Sequence, residues 1–286
     1  MLKADLHIHT TASDGKLSPS EVIEHALKTD LDVIAISDHD TIAGVAEARR
    51  ASEGTPLKVV NAAEVSTIFE GKECHLLAYA FENADVMTRL FRAQKSRRVE
   101  RAQSIIHNLN KLGFDITYDE VLGEAGRASI GRPHIARVMI KKGFASDTQE
   151  VFFRYLGNHS SAYHKIDYPD ISEAIELVHR AGGYAILAHP ADNYTFIDIK
   201  KFREFGLDGI ECYHSSHNSY HQRRFTEYCD NFELIITGGS DFHGSVQDFH
   251  HFGMIHTKLD PGSPLLKAVS ASSRETEKSY SETLCK

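Results

Sequence analysis

Cysteine is scarce in this sequence, and long apolar runs are missing. The four cysteines, Cys74, Cys212, Cys229 and Cys285, form no Cys-x-x-Cys pair and are expected to be reduced thiols. No stretch approaches the roughly 18 consecutive apolar residues of a membrane span, and the first residues lack the apolar segment of a signal peptide. We therefore expect a cytoplasmic protein with no membrane association.

The chain is acidic overall but carries one basic segment. Its formal net charge is −8, which argues against general coating of nucleic acid. Residues 89–142 nevertheless contain twelve Lys and Arg against five Asp and Glu, so this segment carries +7 and the remainder −15. Such a segment in an acidic protein indicates a localised anionic ligand, while a solvated pair of helices is the structural alternative.

Strand and helix signals alternate in the first and last parts of the chain, which predicts an α/β fold. Strands are predicted at 2–9, 31–37, 57–65, 73–81, 184–188, 208–213, 232–237 and near 251–257. Helices are predicted after Ser18-Pro19 and near 42–53, 171–181, 197–205 and 217–229. About seven such units fit a parallel sheet closed into a distorted barrel better than an open sheet.

The alternation is interrupted in the middle of the chain. Residues 85–112 predict one or two long basic helices, and 114–165 show helix and loop signals with little strand. We therefore predict a barrel formed by 1–83 and 166–267, with a small, mostly helical insertion at 84–165. Residues 268–286, rich in Ser, Glu, Lys and Thr, are predicted to be a flexible tail.

Histidine is abundant, with 18 residues, and many histidines and acidic residues stand at or near the predicted strand ends. Catalytic groups of barrel enzymes gather at the C-terminal ends of the strands. One such residue alone could be a cap, a turn residue or an ion-pair partner, but together they indicate a metal site. The candidate ligands and catalytic residues are His7, His9, Asp14, His39, Glu64, His75, His189, Asp241 and His243.

The chemistry of these candidates narrows the choice of metal. Imidazole and carboxylate groups without thiolate suit Mn²⁺, Fe²⁺ or Zn²⁺ rather than Ca²⁺. Nine ligands exceed the needs of one ion and suit two or three ions that share a carboxylate. Such sites activate water and neutralise charge on phosphoryl oxygens.

The sequences of these motifs resemble those of the PHP (polymerase and histidinol phosphatase) family. The matching runs are 5–10 (DLHIHT), 13–15 (SDG), 37–40 (SDHD), 63–65 (AEV), 188–190 (AHP) and 239–243 (GSDFH). The resemblance implies a distorted (β/α)7 barrel with three divalent ions, for which we expect Mn²⁺, with Fe²⁺ or Zn²⁺ as alternatives. It also implies how the ligands are shared: His7, His9, Glu64 and Asp241 for the first ion, Glu64, His75 and His189 for the second, and Asp14, His39 and His243 for the third.

The basic insertion resembles that of stand-alone PHP phosphoesterases. Its runs 97–101 (RRVER) and 131–136 (GRPHIA) carry the likeness. This group acts on nucleoside 3′,5′-bisphosphates and short 5′-phosphorylated RNA, and arginine suits such ligands because it binds phosphate in a bidentate way. The predicted substrate-binding residues are Asp14, His39, Arg98, Arg101, Arg132 and His134; the alternative is that the arginines form ion pairs on the insertion surface.

We therefore predict a metal-dependent phosphoric ester hydrolase that acts on a small nucleotide or the 5′ end of short single-stranded RNA. A hydroxide bridging two ions is expected to attack phosphorus in line while the insertion holds a second phosphate. Tyr79, His214 and His217 are open candidates for the leaving-group acid, and His214 could instead support a ligand. Histidinol-phosphate phosphatase, amide hydrolysis and a non-catalytic PHP accessory module are the alternatives, and no obligatory protein partner is expected.

Overall fold

A computed structural model describes residues 1–126, 128–158 and 160–266, so residue 267 and the predicted tail lie outside the described residues. The strands are β1 (Leu2–Ile8), β2 (Val33–Ile36), β3 (Lys58–Phe69), β4 (Lys72–Tyr79), β5 (Tyr184–Leu187), β6 (Gly209–His214), β7 (Ile235–Gly239) and β8 (Thr257–Leu259). They form one sheet in the order β7-β6-β5-β4-β3-β2-β1-β8. Backbone hydrogen bonds from Asp241 to His7 and from His9 to Phe242 join the end of β7 to β1, so the sheet is a nearly closed barrel. The predicted α/β barrel is confirmed.

The expectation of a purely parallel sheet is wrong at two strands. β4 is antiparallel to both β3 and β5, and β8 is antiparallel to β1. Strands β3 and β4 are joined by the tight turn Glu70-Gly71, both in the left-handed region, which leaves no room for the crossover that a parallel pair requires. Strand β3 also runs four residues beyond the predicted end, so Glu64 lies inside the strand rather than at its end.

The helices surround the barrel and fill the insertion. They are α1 (Pro19–Ala26), α2 (Val45–Ser52), α3 (Ala84–Lys111), α4 (Tyr118–Ala125), α5 (Arg132–Lys141), α6 (Thr148–Val151), α7 (Ile171–Arg180), α8 (Phe196–Glu204), α9 (Ser219–Phe232) and α10 (Asp248–His251). Helix α1 starts as the sequence indicates, since Ser18 and Glu21 form a capping box and Pro19 occupies the first turn. Within the described ranges, no helix is long and apolar enough to cross a membrane.

The insertion has an apolar core of its own. Helix α3 is one continuous helix of 28 residues. Its side chains Ile105 and Leu109 pack with Val121, Ile135 and Met139 in a cluster separate from the two barrel clusters. Each fully buried aliphatic side chain stabilises such a cluster by about 1.5–3 kcal/mol. The domain boundaries at 83/84 and 165/166 stay a prediction.

Bulges in two strands change which side chains face the same side. In β1 the register shifts between Asp5 and Ile8, so Leu6 belongs to the apolar cluster inside the barrel and Ile8 to the outer cluster. A regular strand would put these two residues on one face. In β6 the register shifts between Glu211 and Tyr213. Glu211 and His214, three residues apart, both reach the polar end of the barrel.

Closure of the barrel depends on a close approach at Gly239. A Cβ there would lie 2.5 Å from the Cβ of His7 and would also overlap the His7 backbone nitrogen. We expect Gly239→Ala to lower the free energy of unfolding by about 1–3 kcal/mol, because β1 and β7 must separate to admit the methyl group. Urea unfolding measures this. The control is Gly123→Ala in α4, where nothing lies within 4 Å and alanine should be neutral or stabilising by up to about 1 kcal/mol; equal effects in both variants would contradict the close approach.

Candidate metal centre

The structure brings all nine predicted ligands together at one end of the barrel. Each has a side-chain nitrogen or oxygen within 4.0 Å of another member of the set. His75 reaches this end because β4 runs antiparallel to its neighbours, which directs its N-terminal half toward the rim where parallel strands end. His7 and His9 point to one side as their two-residue spacing predicts, with their Nε2 atoms 3.1 Å apart.

Glu64 lies at the centre of the cluster. Its Oε1 is 2.8 Å from Nδ1 of His75 and 2.8 Å from Nε2 of His189. Its Oε2 is 3.1–3.3 Å from ring nitrogens of three further residues, His39, His9 and His7. The two oxygens of one buried carboxylate therefore face two different groups of imidazoles, which is the arrangement that a bridging ligand needs.

Two more carboxylates complete the groups. Oδ1 of Asp241 lies 3.3 Å from Nε2 of His7 and 3.2 Å from Nε2 of His9. Oδ1 of Asp14 lies 3.4 Å from Nε2 of His243. His9 also approaches Asp14, with its Nδ1 3.6 Å from the same oxygen, so its ring stands between the two carboxylates.

The donor set fits divalent cations. Donors bound to one ion at about 2.0–2.2 Å lie roughly 3–3.5 Å apart, and the distances from His7 and His9 to Glu64 Oε2 and Asp241 Oδ1 fall in this range. Nδ1 of His39 is buried and has no hydrogen-bond partner among the described residues, although Oε2 of Glu64 is 3.1 Å away. A buried acceptor without a donor favours a cation between these atoms.

The three ligand groups implied by the family resemblance can be compared with the geometry. His7, His9, Glu64 and Asp241 form one group of converging donor atoms. Asp14, His39 and His243 converge with His9 as a further member. His75 and His189 share Oε1 of Glu64, with their ring nitrogens 3.4 Å apart, and His39 also lies close to Glu64 and His75. The assignment of ligands to individual ions stays a prediction.

The carboxylates of the cluster are held in their charged form. Burial works to raise the pKa of Glu64, but the surrounding histidines, His39 first, outweigh it, and the pKa lies well below its usual range. The same balance, with His7 as the largest favourable contribution, holds the pKa of Asp241 well below normal. Carboxylates must be in this charged form to bind a cation.

Glu211 is a buried residue beside the predicted ligands that the sequence prediction missed. Its Oε1 accepts from Nδ1 of His7 at 3.0 Å, and its Oε2 accepts from the backbone N–H of His189 at 2.7 Å. The first bond places the proton of His7 on Nδ1 and leaves Nε2 free to bind a metal. A single Glu inside the apolar run Ile210-Glu211-Cys212 was the available signal, since unpaired charges are rarely fully buried.

The three candidates for a leaving-group acid lie in different surroundings. Tyr79 is fully buried and donates to the Leu6 carbonyl at 2.7 Å, and burial raises its pKa well above normal. His217 is bound to backbone on both sides of its ring. His214 accepts from the Ser216 backbone through Nδ1, and its Nε2 lies 3.3 Å from Oδ2 of Asp241. This position suits His214 for supporting Asp241, as the sequence hypothesis allowed.

A cavity of about 250 Å³ extends from the cluster of predicted metal ligands into the insertion. Its walls include four predicted ligands, Asp14, His39, His75 and His243, together with the three arginines Arg98, Arg101 and Arg132. The N-terminus of α5 also opens here, because Gly131, Arg132 and Pro133 line the cavity. Charged guanidinium groups and a helix N-terminus both favour an anion.

The arginines are ion-paired as well as exposed to the cavity. Nε of Arg98 donates to Asp40 at 2.7 Å. Arg101 and Arg132 share Glu73, at 2.5 Å and 2.7 Å. These ion pairs join the insertion to Asp40 and Glu73 of the barrel rather than lying on the insertion surface, and substrate binding by the arginines stays a prediction.

His134 and Arg137 differ from those three arginines. The His134 ring is buried, its Nδ1 accepts from the backbone N–H of Gly131 at 3.0 Å, and it does not line the described cavity. It caps α5, and its role in substrate binding stays a prediction. Arg137, which the sequence prediction did not single out, donates to the Asp14 carbonyl and connects the insertion to the metal-site loop.

Comparison with known proteins identifies relatives of this arrangement. A family model described as PHP domain matches residues 5–184. A 5′-3′ exoribonuclease of Haemophilus influenzae is 37% identical over 247 residues, with 84% of this chain and 90% of the relative covered. A phosphoribosyl 1,2-cyclic phosphate 1,2-diphosphodiesterase of Eggerthella lenta is 31% identical, with 87% and 97% covered. A 3′,5′-nucleoside bisphosphate phosphatase of Chromobacterium violaceum is 30% identical, with 85% and 88% covered.

Solved structures show the same architecture. A protein from Bifidobacterium adolescentis, described as a metal-dependent phosphoesterase, superimposes with a TM-score of 0.79 at 31% identity. The match covers 84% of this chain and 87% of that structure. The fold is therefore shared with this structure over most of the chain.

Proposed function

Since the chain belongs to the PHP domain family and is a metal-dependent phosphoesterase, we propose that it removes the 3′-phosphate of nucleoside 3′,5′-bisphosphates and cleaves short 5′-phosphorylated RNA from its 5′ end. The observation that carries the proposal is the cavity that joins the metal ligands to three arginines of the insertion. We further propose three ions in the site, Mn²⁺ before Fe²⁺ or Zn²⁺, and a cytoplasmic enzyme that needs no protein partner.

The charges in the cavity favour a substrate with a phosphate besides the one that reacts. Arg98, Arg101 and Arg132 bring three positive charges, and their partners Asp40 and Glu73 bring two negative ones. Among these ion pairs one positive charge is left over, and the α5 N-terminus adds to it. The carboxylate of Asp14, also on the cavity wall, faces His243 of the predicted metal site. An ion-paired arginine keeps unused N–H groups, because a guanidinium has five donors. A phosphate bound there would lie beside the metal cluster without entering it.

The size of the cavity supports a small substrate. Its volume of about 250 Å³ is at or below the lower end of the roughly 300–1,000 Å³ of ordinary ligand pockets. Two of the relatives' names, the bisphosphate phosphatase and the phosphoribosyl cyclic phosphate diphosphodiesterase, describe substrates that carry two phosphate groups. An exoribonuclease acting from the 5′ end also needs a small site that holds a terminal nucleotide with its 5′-phosphate and the ester to be cut. Both activities are therefore proposed together.

The residues have separable tasks in such a hydrolysis. Bound divalent ions supply Lewis-acid stabilisation of the phosphoryl oxygens and activation of water. Glu64, Asp241 and Asp14 provide the negative charge that holds these ions. Glu211 fixes the proton of His7 on Nδ1. The insertion arginines orient the substrate through its second phosphate, so that binding energy away from the reacting ester positions that ester.

The proposal predicts a substrate preference. The Mn²⁺-loaded protein should release phosphate from adenosine 3′,5′-bisphosphate and should shorten 5′-phosphorylated RNA, with little release from histidinol phosphate. Phosphate assays and gel analysis of labelled RNA, run in parallel, measure this. Turnover of histidinol phosphate without turnover of the bisphosphate or the RNA would contradict action on nucleotides and would indicate a histidinol-phosphate phosphatase instead.

An arginine variant makes the same experiment sharper. Arg132→Ala removes a charged donor to the second phosphate, worth about 1.5–3 kcal/mol, so KM for the bisphosphate should rise roughly 10- to 100-fold. Adenosine 3′-monophosphate, which lacks that phosphate, should be affected much less. Arg154→Ala is the matched control, because Arg154 belongs to the insertion but is half exposed and pairs with Glu150. An equal loss on both substrates would refute a phosphate-orienting role for Arg132.

A further inference from the structure

The loop that follows β5 has an unusual backbone at the metal cluster. His189 and Ala191 both have positive φ angles, 27° and 39°, although neither is glycine. L-residues rarely adopt this region, so the surrounding structure must hold them there. His189 is the residue of this loop whose ring reaches Glu64, with Nε2 2.8 Å from Oε1. The conformation of the loop therefore decides where a predicted metal ligand lies.

Two side chains from the next strand and its connection hold this loop by its backbone. Glu211 in β6 accepts the N–H of His189 through Oε2 at 2.7 Å. His217, between β6 and α9, accepts the N–H of Ala191 through Nε2 at 3.0 Å. Both acceptors are buried, at 0% and 6% exposure, so neither bond competes strongly with water.

The orientation of the His217 ring is determined by its partners. Because Nε2 accepts from Ala191, the proton of the neutral ring is on Nδ1, and Nδ1 donates to the Cys212 carbonyl at 3.0 Å. The ring thus connects the backbone of β6 to the backbone of the β5 loop. It does not line the described cavity, so contact with substrate does not explain it.

We propose that Glu211 and His217 act together as positioning residues that hold the His189–Ala191 loop in its strained conformation, and so set the place of His189 in the metal site. Glu211 has a double task, since its other oxygen orients His7. His217 has a single one. The proposal rests on the proposed metal-dependent activity only for its kinetic readout.

The test is uptake of Mn²⁺ by the full chain. His217→Leu should shift part of the Mn²⁺ binding curve to roughly 10- to 100-fold higher concentration, as loss of a residue supporting a metal ligand does. Equilibrium dialysis with metal analysis measures it. His217→Gln, whose amide can accept from Ala191 and donate to Cys212, should recover much of the affinity. With the nucleotide substrate, kcat should fall at sub-saturating Mn²⁺ while KM changes little, because the insertion is untouched.

His221→Gln is the matched control. His221 is also a buried histidine of the same segment, but its Nε2 contacts the exposed side chain of Asp192 rather than the loop backbone. Its Mn²⁺ curve should superimpose on that of the original protein. A folded His217→Leu protein with an unchanged Mn²⁺ curve and a lowered melting temperature would overturn the proposal and leave a purely structural role.

A second variant covers the case in which His217→Leu does not fold. Glu211→Gln keeps one acceptor oxygen where two donors must be satisfied, so it should weaken Mn²⁺ binding without removing side-chain volume. An unchanged binding curve for this variant would also overturn the proposal. If the original protein binds Mn²⁺ but hydrolyses none of the substrates, the proposed function fails, and the binding curves still decide the positioning role.

Discussion

Replacement of Glu64 by Gln is expected to reduce kcat by on the order of 10³-fold or more. The change leaves the size of the side chain nearly constant and removes the charge at the centre of five imidazoles. Metal ions contribute several kcal/mol of transition-state stabilisation, and each 1.36 kcal/mol is a tenfold change in rate. A neutral amide also presents only one oxygen, so it cannot face both groups of histidines as an acceptor.

The measurement is steady-state hydrolysis of adenosine 3′,5′-bisphosphate together with the Mn²⁺ content of the purified variant. Glu70→Gln is the control, because Glu70 lies on the same β3–β4 hairpin but is exposed and pairs with Lys201. Its kcat should stay within about twofold of the original value, as is typical of exposed ion pairs. A Glu64→Gln enzyme that keeps its full Mn²⁺ content and a kcat within tenfold of the original would show that Glu64 does not bridge ions.

Removal of bound metal is expected to abolish hydrolysis and to lower the melting temperature. Asp14, Glu64 and Glu211 are buried and Asp241 beside them is partly buried, so their charges need compensation in the folded state. An ion present at 100 times its dissociation constant stabilises the fold by about 2.7 kcal/mol. For a chain of this size that corresponds to roughly 5–10 °C for each ion.

Calorimetry before and after treatment with a chelator, and after return of Mn²⁺, tests this. Activity and melting temperature should return together. Glu64→Gln provides an internal comparison, since Mn²⁺ should raise its melting temperature by less than that of the original protein. Full activity after complete chelation would refute the metal-dependent mechanism, and recovery of stability without activity would separate the structural effect of the ions from catalysis.

Several features of the site could be predicted because they depend on residue type and local order. His7 and His9 stand two apart at the end of β1, and their rings point to one side as that spacing predicts. His189 and Asp241 follow parallel strands, whose ends meet at one rim. The charge pattern predicted the basic helix α3, and two of its arginines, Arg98 and Arg101, line the cavity. Their roles as metal and phosphate ligands stay predictions, although the positions agree with them.

Other features could not be predicted, because they depend on contacts between residues far apart in the chain. Glu64 contacts His7 and His189 at sequence separations of 57 and 125 residues. Glu211 stands out in the sequence only as an acidic residue in an apolar run; its partners, His7 and the β5 loop, are brought beside it by the tertiary structure. The pairing of Arg101 and Arg132 through Glu73 likewise required both halves of the insertion to meet β4.

The sequence by itself determined the donor types, the basic character of the insertion and the alternation that builds the barrel, because these follow from composition and from the periods of strands and helices. Only the tertiary structure decided the reversed direction of β4, the bulges in β1 and β6, and the hydrogen bonds that hold the His189 loop. Strand direction and register depend on turn geometry and on packing between distant segments, and a period of two along one strand carries no information about which strand lies beside it.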